Sequence, residues 1–432
     1  MTKTYDTYKD SCIAWIGEIP SEWKVVRQKN VFTLGKELVG EKWSSTQLLS
    51  LTTKGIKCVN IGTTSGKVPD SYNTYQIVKP NNLVMCLFDL DCSAVFSGIS
   101  NCNGMISPAY KVLTVNENSD PRYYAYWFDY IFDGRKYMFL SKNIRYSLTY
   151  DEFASLGIVM PSLEEQQSIA SFLDKKCSEI DSLISLQEEM ITELQAYKQS
   201  VITEAVTKGL NPKAAMFDSG VDWIGEIPQG WSVKLLSKII WLRARLGWKG
   251  LKAEEYVETG YPFLSAFNIV NNKLDWTDLN FINQQRYDES PEIKLSVGDV
   301  LIVKDGAGIG KTARIDELPN GESTVNSSLG VITPSEMLDY KYLHYFLLSN
   351  PFQNMVGFLK NGMGVPHLTQ ENMKSVRIPV PEIEEQQLIA TYLDEKTQQI
   401  DSLIALKLEK IEELKVYKKS IIYEYVTGKK RV

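Results

Sequence analysis

Histidine is nearly missing from this sequence. Two in 432 residues, His344 and His367, leave a histidine-based metal centre short of ligands. The six cysteines, at 12, 58, 86, 92, 102 and 177, contain no C-x-x-C pair. That argues for reduced thiols rather than a zinc site or a disulfide framework. No stretch approaches the ~20 consecutive apolar residues that cross a bilayer, and the opening MTKTYDTYKD lacks the apolar core of a signal peptide. There is no Pro-Pro pair, so the [DNS]-P-P-[YFW] loop of adenine methylation is absent; SNPF at 349–352 is one proline short. H-E-x-x-H, G-x-S-x-G and a nuclease-type carboxylate cluster are missing too. These gaps predict a cytoplasmic, non-catalytic protein with no metal or cofactor of its own.

What is present is a soluble composition, 44% hydrophobic and 23% charged, in a chain long enough for two or three domains. The net charge of −6 is unevenly spread. Residues 21–160 hold 15 Lys/Arg against 12 Asp/Glu, whereas 161–209 hold 4 against 9. Net charge therefore says little about what each region binds.

The chain is written twice. DSCIAWIGEIPSEW at 10–23 returns at 218–231 as DSGVDWIGEIPQGW. PSLEEQQSIASFLDKKCSEIDSLISLQEEMITELQAYKQS at 161–200 returns at 381–420 as PEIEEQQLIATYLDEKTQQIDSLIALKLEKIEELKVYKKS. The intervening stretches, 24–160 and 232–380, resemble each other only faintly, but similar elements follow in the same order. NNLVMCLF (81–88) and GDVLIVK (298–304) are β-prone, and RYYAYWFDYIF (122–132) and YKYLHYFLLS (340–349) read as helices. A repeated scaffold with a divergent surface fits two readers aimed at two targets.

The long repeated blocks predict two helices. In the first, Ile169, Leu173, Ile180, Leu183, Met190, Leu194, Tyr197 and Val201 fit a coiled-coil seam. Ile389, Leu393, Ile400, Leu403, Leu414, Tyr417 and Ile421 repeat it in the second. Ser162 with Glu165 predicts a capping box, and Gly209 followed by Asn211-Pro212 predicts the stop. From 164 to 207 such a helix is about 66 Å long at ~1.5 Å per residue. The expected fold is mixed α/β (α+β): two domains separated by two long helices that form an antiparallel coiled coil. The segments are 1–160 (first domain), 161–209 (first helix), 210–380 (second domain) and 381–432 (second helix).

VKDGAGIGKTAR at 303–314 has the look of a phosphate-binding loop. A P-loop needs G-x-x-x-x-G-K-[ST] followed by a helix, so that backbone amides and the helix dipole hold the phosphates. Here Asp305 occupies the position of the first glycine, and ARIDELPNGES follows in place of a helix. The expectation is a hairpin, turned through Asp305-Gly306 between two strands.

The tandem W-I-G-E-I-P blocks at 15–20 and 223–228, P-x-x-E-E-Q-Q-x-I-A at 161–170 and 381–390, and GDVLIVKDGAGIGK resemble the specificity subunits of type I restriction–modification systems. The resemblance covers nearly the whole chain. It departs in the first variable region, which has Asn81-Asn82 and Asp89-Leu90-Asp91 in place of the G-D and glycine-turn signature. It implies that 21–160 and 229–380 are target-recognition domains, each reading one half of a bipartite double-stranded DNA site. It also implies partners: two adenine-N6 methyltransferase subunits carrying S-adenosylmethionine, and a translocating endonuclease subunit using ATP and Mg.

Base and phosphate contacts are then expected from Lys54, Lys57, Lys142, Asn143, Arg145 and Tyr146 in the first domain. In the second they are expected from Arg243, Arg245, Lys249, Lys304, Lys311, Asn361 and His367, with Arg314 also placed near phosphate. Trp15 and Trp223 stand open between a partner-facing role and a core anchor. Two other classes stay open: a coiled-coil adaptor whose two domains bind proteins, and a P-loop enzyme.

Overall fold

The computed structural model describes residues 4–60, 71–141, 144, 146–244, 251, 253–306, 308–360 and 367–432. The chain divides into two compact units, Met1–Gln187 with Leu408–Val432, and Glu188–Lys407. Each unit owns one variable region and about half of each long helix, so compaction cuts across the four segments read from sequence.

The two units share one topology. In the first, an antiparallel sheet orders Phe32–Leu34, Lys111–Val115, Leu83–Met85 and Ser97–Ile99. In the second, Ile240–Arg243, Leu329–Pro334, Val300–Val303 and Thr312–Arg314 follow the same order. Each unit adds another sheet containing one parallel pairing, Leu48 beside Met105 in the first and Phe263 beside Thr324 in the second. The helix Pro121–Phe132 in one unit matches Tyr340–Leu348 in the other. The faint sequence likeness is therefore a real structural repeat, and the first unit keeps the strand pair although it lacks the glycine signature.

The central strands are buried on both faces, which explains their unbroken apolar runs. Val300 and Ile302 point into a core shared with Tyr342 and Phe346, while Leu301 and Val303 enter a second core with Leu264 and Val325. Leu83 and Met85 join Tyr124 and Phe128 in the first unit, and Val84 faces Leu49 and Leu51. Alternate side chains of one strand thus cement a helix to one side and a sheet to the other.

The long helices span Leu163–Lys208 and Ile383–Val426. Within the first unit they run antiparallel: Ile169, Leu173, Cys177 and Ile180 share a core with Ile421, Ile422, Tyr425 and Val426. The second unit repeats the arrangement with Val201, Ile202, Ala205 and Val206 against Ile389 and Leu393. The seam keeps Leu173, Ile180, Leu194, Val201, Leu393, Ile400, Leu414 and Ile421 from the predicted one and departs at the others between them. Leu183, Tyr197, Leu403 and Tyr417 are about half exposed. The less exposed positions step in fours and threes through Leu173, Cys177, Ile180, Ile184, Gln187, Ile191, Leu194, Lys198 and Val201. On the second helix they run through Leu393, Thr397, Ile400, Ile404, Lys407, Ile411, Leu414, Lys418 and Ile421. Three seam places at which a large apolar side chain stood one residue earlier belong instead to Ile184, Ile191 and Lys198; Met190 is only half-buried.

The predicted capping box is half formed. Ser162 Oγ accepts from the Glu165 amide at 3.3 Å, but the Glu165 carboxylate turns to Tyr5 and Trp23 instead.

Candidate nucleic-acid interface

The repeated blocks prove to be the fittings that attach each variable region to the helices. Trp23 Nε1 donates to Glu165 at 2.9 Å, and Trp231 Nε1 donates to Glu385 at 3.1 Å. Gln166 accepts from the Asp120 amide and Gln386 from the Asp339 amide, at 2.9 and 2.8 Å. Both donors, Asp120 and Asp339, are the residues that cap the matched helices. Tyr123 donates its hydroxyl to the Val426 carbonyl, and Tyr342 donates to that of Val206. Asp174 accepts from Arg122 and Tyr126; Asp394 accepts from Arg314, Lys341 and Tyr345. Burial pushes the Asp394 carboxyl up, but these hydrogen bonds outweigh it and hold it below the usual carboxylate range. Arg314 is thus a tie to the helix, which corrects its expected place near phosphate. Trp15 and Trp223 are half-buried and pack on the cores of their units, Trp15 near Tyr137 and Trp223 near Phe346.

With the constant residues engaged in attachment, the turns of the variable regions remain for recognition. The glycine loop is a hairpin: Val300 pairs with Arg314, Leu301 with Ala313 and Ile302 with Thr312. Three of its amides are already bonded to protein, Ile309 to Gly306, Gly310 to Val303 and Lys311 to Gly308. Thr312 is fully buried on a strand. A P-loop needs those amides and that hydroxyl turned to phosphate and magnesium, so the resemblance to one ends at the letters. Gly306 and Gly310 have φ of +79° and +86°, the left-handed region that glycine adopts without strain. Gln353 fixes the turn by donating to the Gly310 carbonyl at 3.0 Å.

Lys311 is exposed and Lys304 half-buried at the feet of this turn. Burial lowers the Lys304 ammonium below its ordinary value. His367 is exposed, bridges the backbone of Asp305 and meets its carboxylate through Nδ1. Lys304, Lys311 and His367 are therefore gathered around one turn. Beside it lies a cleft of about 230 Å³ lined by Gln199, Asn272, Lys311 and Gln353. Asn272 follows Asn271 in a left-handed pair, between strands Ile269–Val270 and Lys273–Leu274. The sequence reading passed over this turn, although two adjacent asparagines are a hairpin signal. Phe267, 91% exposed, was passed over as well; its amide donates to Ser265 in a short capped turn.

In the first unit Lys54 tips the hairpin of Leu48–Thr52 and Gly55–Val59, and Lys57 is exposed on its second strand. Tyr146 is exposed with φ +45°. Lys142, Asn143, Arg145, Arg245, Lys249 and Asn361 lie outside the described residues. Arg243 is a correction. It is buried, its guanidinium donating to Asp299 at 2.6 Å, Thr333 at 2.7 Å and the Lys294 carbonyl at 2.7 Å. A cation so enclosed holds the interior together and does not reach a base.

The duplicated units, each carried on paired stretches of the long helices, define a two-domain scaffold. The type I restriction modification DNA specificity domain matches residues 20–196 and again 228–415, and the chain belongs to that family. It is 29% identical over 283 residues to the MjaVIII specificity subunit of Methanocaldococcus jannaschii, covering 65% of this chain and 63% of that one. Against the EcoKI specificity subunit of Escherichia coli it is 29% identical over 210 residues, 48% of this chain and 44% of the relative. Each of these two matches spans less than two thirds of the relative's length. The putative MjaX subunit of M. jannaschii matches at 24% across 96% of both chains. The fold matches the HsdS subunit of Thermoanaerobacter tengcongensis with a TM-score of 0.53 at 18% identity, over 95% of this chain and 98% of that one. It matches a chain from work on complex assembly and conformational transition of the type I R-M system with a TM-score of 0.71 at 17% identity. That match covers 94% and 98% of the two chains. Among the described residues no helix is long and apolar enough to cross a membrane.

Proposed function

We propose that this chain is the DNA specificity subunit of a type I restriction–modification complex. Each unit reads one half of a bipartite duplex site and directs adenine-N6 methylation, or cleavage, by partner subunits. One observation carries the reading: two units of the same topology share their attachment residues and differ in their turns. Lys304, Lys311, His367 and Asn272 form the proposed reading edge of the second unit, and Lys54 and Lys57 that of the first. Asn and His side chains reach base edges, and the lysines neutralise phosphate.

Two methyltransferase subunits holding S-adenosylmethionine and a translocating endonuclease using ATP and Mg are the proposed partners. Exposed apolar side chains on the long helices support docking there: Leu183, Leu186, Leu408 and Val416 in the first unit, and Leu388, Leu403 and Leu406 in the second. The small net charge of the readers, 15 Lys/Arg against 12 Asp/Glu over 21–160 and 16 against 16 over 229–380, fits stable DNA binding only within that assembly.

Sequencing of methylated adenines in a host expressing the chain with its methyltransferase tests the proposal. A two-part motif is expected, and exchanging residues 21–160 for a relative's region should alter one half only. Unmethylated DNA despite an assembled complex, or a change in both halves, would sink it.

A further inference from the structure

Two thiols meet in the first unit. Cys58 lies on Gly55–Val59, the edge strand of its sheet, and Cys102 lies in the loop between Ser97–Ile99 and Gly104–Ile106. Their Sγ atoms are 3.6 Å apart although 44 residues separate them in the chain. Cys58 is exposed and Cys102 half-buried, packed against the core of Leu49 and Leu51.

The loop is held against the hairpin by close backbone approach. A Cβ on Gly104 would come within 2.5 Å of the Gln47 carbonyl, and one on Gly98 within 2.9 Å of Leu51. At Gly104 the obstacle is backbone, and only glycine fits there. Ser100 pins the loop from within, accepting from the Cys102 amide at 3.3 Å and donating to its carbonyl at 2.9 Å. Cys102 is thus a fixed target, and Cys58 on the open strand edge is the accessible partner. A disulfide requires about 2.05 Å between sulfurs, a closure of roughly 1.5 Å that side-chain rotation and a small strand shift can supply.

We infer that Cys58 and Cys102 form a redox modification site, a dithiol that a low-molecular-weight disulfide converts reversibly to a cystine. The Cys58 thiolate attacks one sulfur of the small disulfide and expels a small thiolate, leaving a mixed disulfide. The Cys102 thiolate then attacks the Cys58 sulfur and expels the second small thiolate. The protein dithiol loses two electrons and two protons; the small disulfide gains them and leaves as two thiols. The new bond ties the hairpin that carries Lys54 and Lys57 to the loop behind it. Its effect on DNA rests on the function proposed above; its formation does not.

The full chain, treated with glutathione disulfide, alkylated and mapped by mass spectrometry, should yield a peptide joining Cys58 to Cys102. Dithiothreitol should remove the link. In Cys102→Ser the glutathione should remain on Cys58, because nothing resolves it. Free alkylation of both cysteines in the wild type, or a link from Cys58 to Cys12 or Cys92 instead, would overturn the inference. Within the methyltransferase complex, oxidation should weaken cognate duplex binding about tenfold or more and leave Cys58→Ser at the affinity it shows under dithiothreitol. A linked peptide with unchanged affinity would count against the hairpin as a DNA contact, and so against the reading rather than the thiol pair. Intact DNA reading without any linked peptide would count against the thiol pair alone.

Discussion

Lys418 on the second long helix grips Asp181 on the first, with Nζ 2.7 and 2.8 Å from the two carboxylate oxygens. The second unit holds the counterpart, Lys198 to Asp401 at 2.6 Å. Both lysines occupy seam positions, where an apolar residue is the usual choice. A polar seam residue with one partner fixes which turn of one helix faces which turn of the other.

Because these pairs are partly solvated, Lys418→Ala should cost only about 0.5–1 kcal/mol in urea unfolding. The charge-reversed double variant, Asp181→Lys with Lys418→Asp, should recover most of that. A double variant no better than the sum of its parts would show that the pair does not act as a pair.

Gly428 follows the second long helix with φ +72°, and a Cβ there would meet Pro20 at 2.3 Å and Trp23 at 3.1 Å. Gly428→Ala should cost several kcal/mol, about 1–2 from the left-handed backbone and the rest from overpacking. Gly225, at φ +74° with nothing within 4 Å, provides the control. Its alanine variant should show the backbone cost alone, and equal losses at both sites would remove the packing argument.

Arg243→Ala should destabilise the chain by about 3–5 kcal/mol, because it leaves Asp299 buried without its cation. By contrast, Lys311→Ala should leave the melting temperature within a degree or two. In the assembled complex it should reduce the salt dependence of DNA binding by about one phosphate contact. A stable Arg243→Ala protein with lost DNA affinity would return that residue to the reading edge.

His344 is buried in the helix that matches Pro121–Phe132, beside Arg314. Burial chiefly, with the Arg314 charge, lowers its imidazole from 6.5 to about 3. Below pH ~6.5 the unfolded chain binds a proton that the folded chain refuses. The stabilisation is therefore complete above that pH and is lost as pH falls toward 3, by up to about 1.4 kcal/mol per unit. Thermal melts from pH 7 to pH 4.5 should fall less steeply in His344→Phe than in the wild type. Parallel curves would assign the acid sensitivity elsewhere.

The duplication, the element order and the two long helices were legible because each rests on pattern within a window or between two copies of one window. The seam departs by one residue at Leu183, Met190, Tyr197, Leu403 and Tyr417 and keeps the other expected positions, because steps of three and four both satisfy a heptad. Leucine and tyrosine were favoured at places that lysine and isoleucine occupy. Arg243 was misplaced for another reason: its partner Asp299 lies 56 residues away, and local sequence cannot distinguish an exposed cation from one neutralised at that separation. The same limit hid the purpose of the E-E-Q-Q motif. It reads as an exposed helix start, yet Glu165 and Gln166 hold Trp23 and the backbone of Asp120.

Tyr123 donates to the carbonyl of Val426, a residue made 303 positions later. The first unit therefore cannot close its interior until residues 408–432 have left the ribosome, whereas the second is finished at Lys407. Synthesis completes the two halves in the reverse of their written order. During translation the earlier half waits with its aromatic helix uncovered, the exposure that invites aggregation. Loss of the final 25 residues should accordingly strip protection from amide exchange in the unit that begins the chain, and spare the one in the middle.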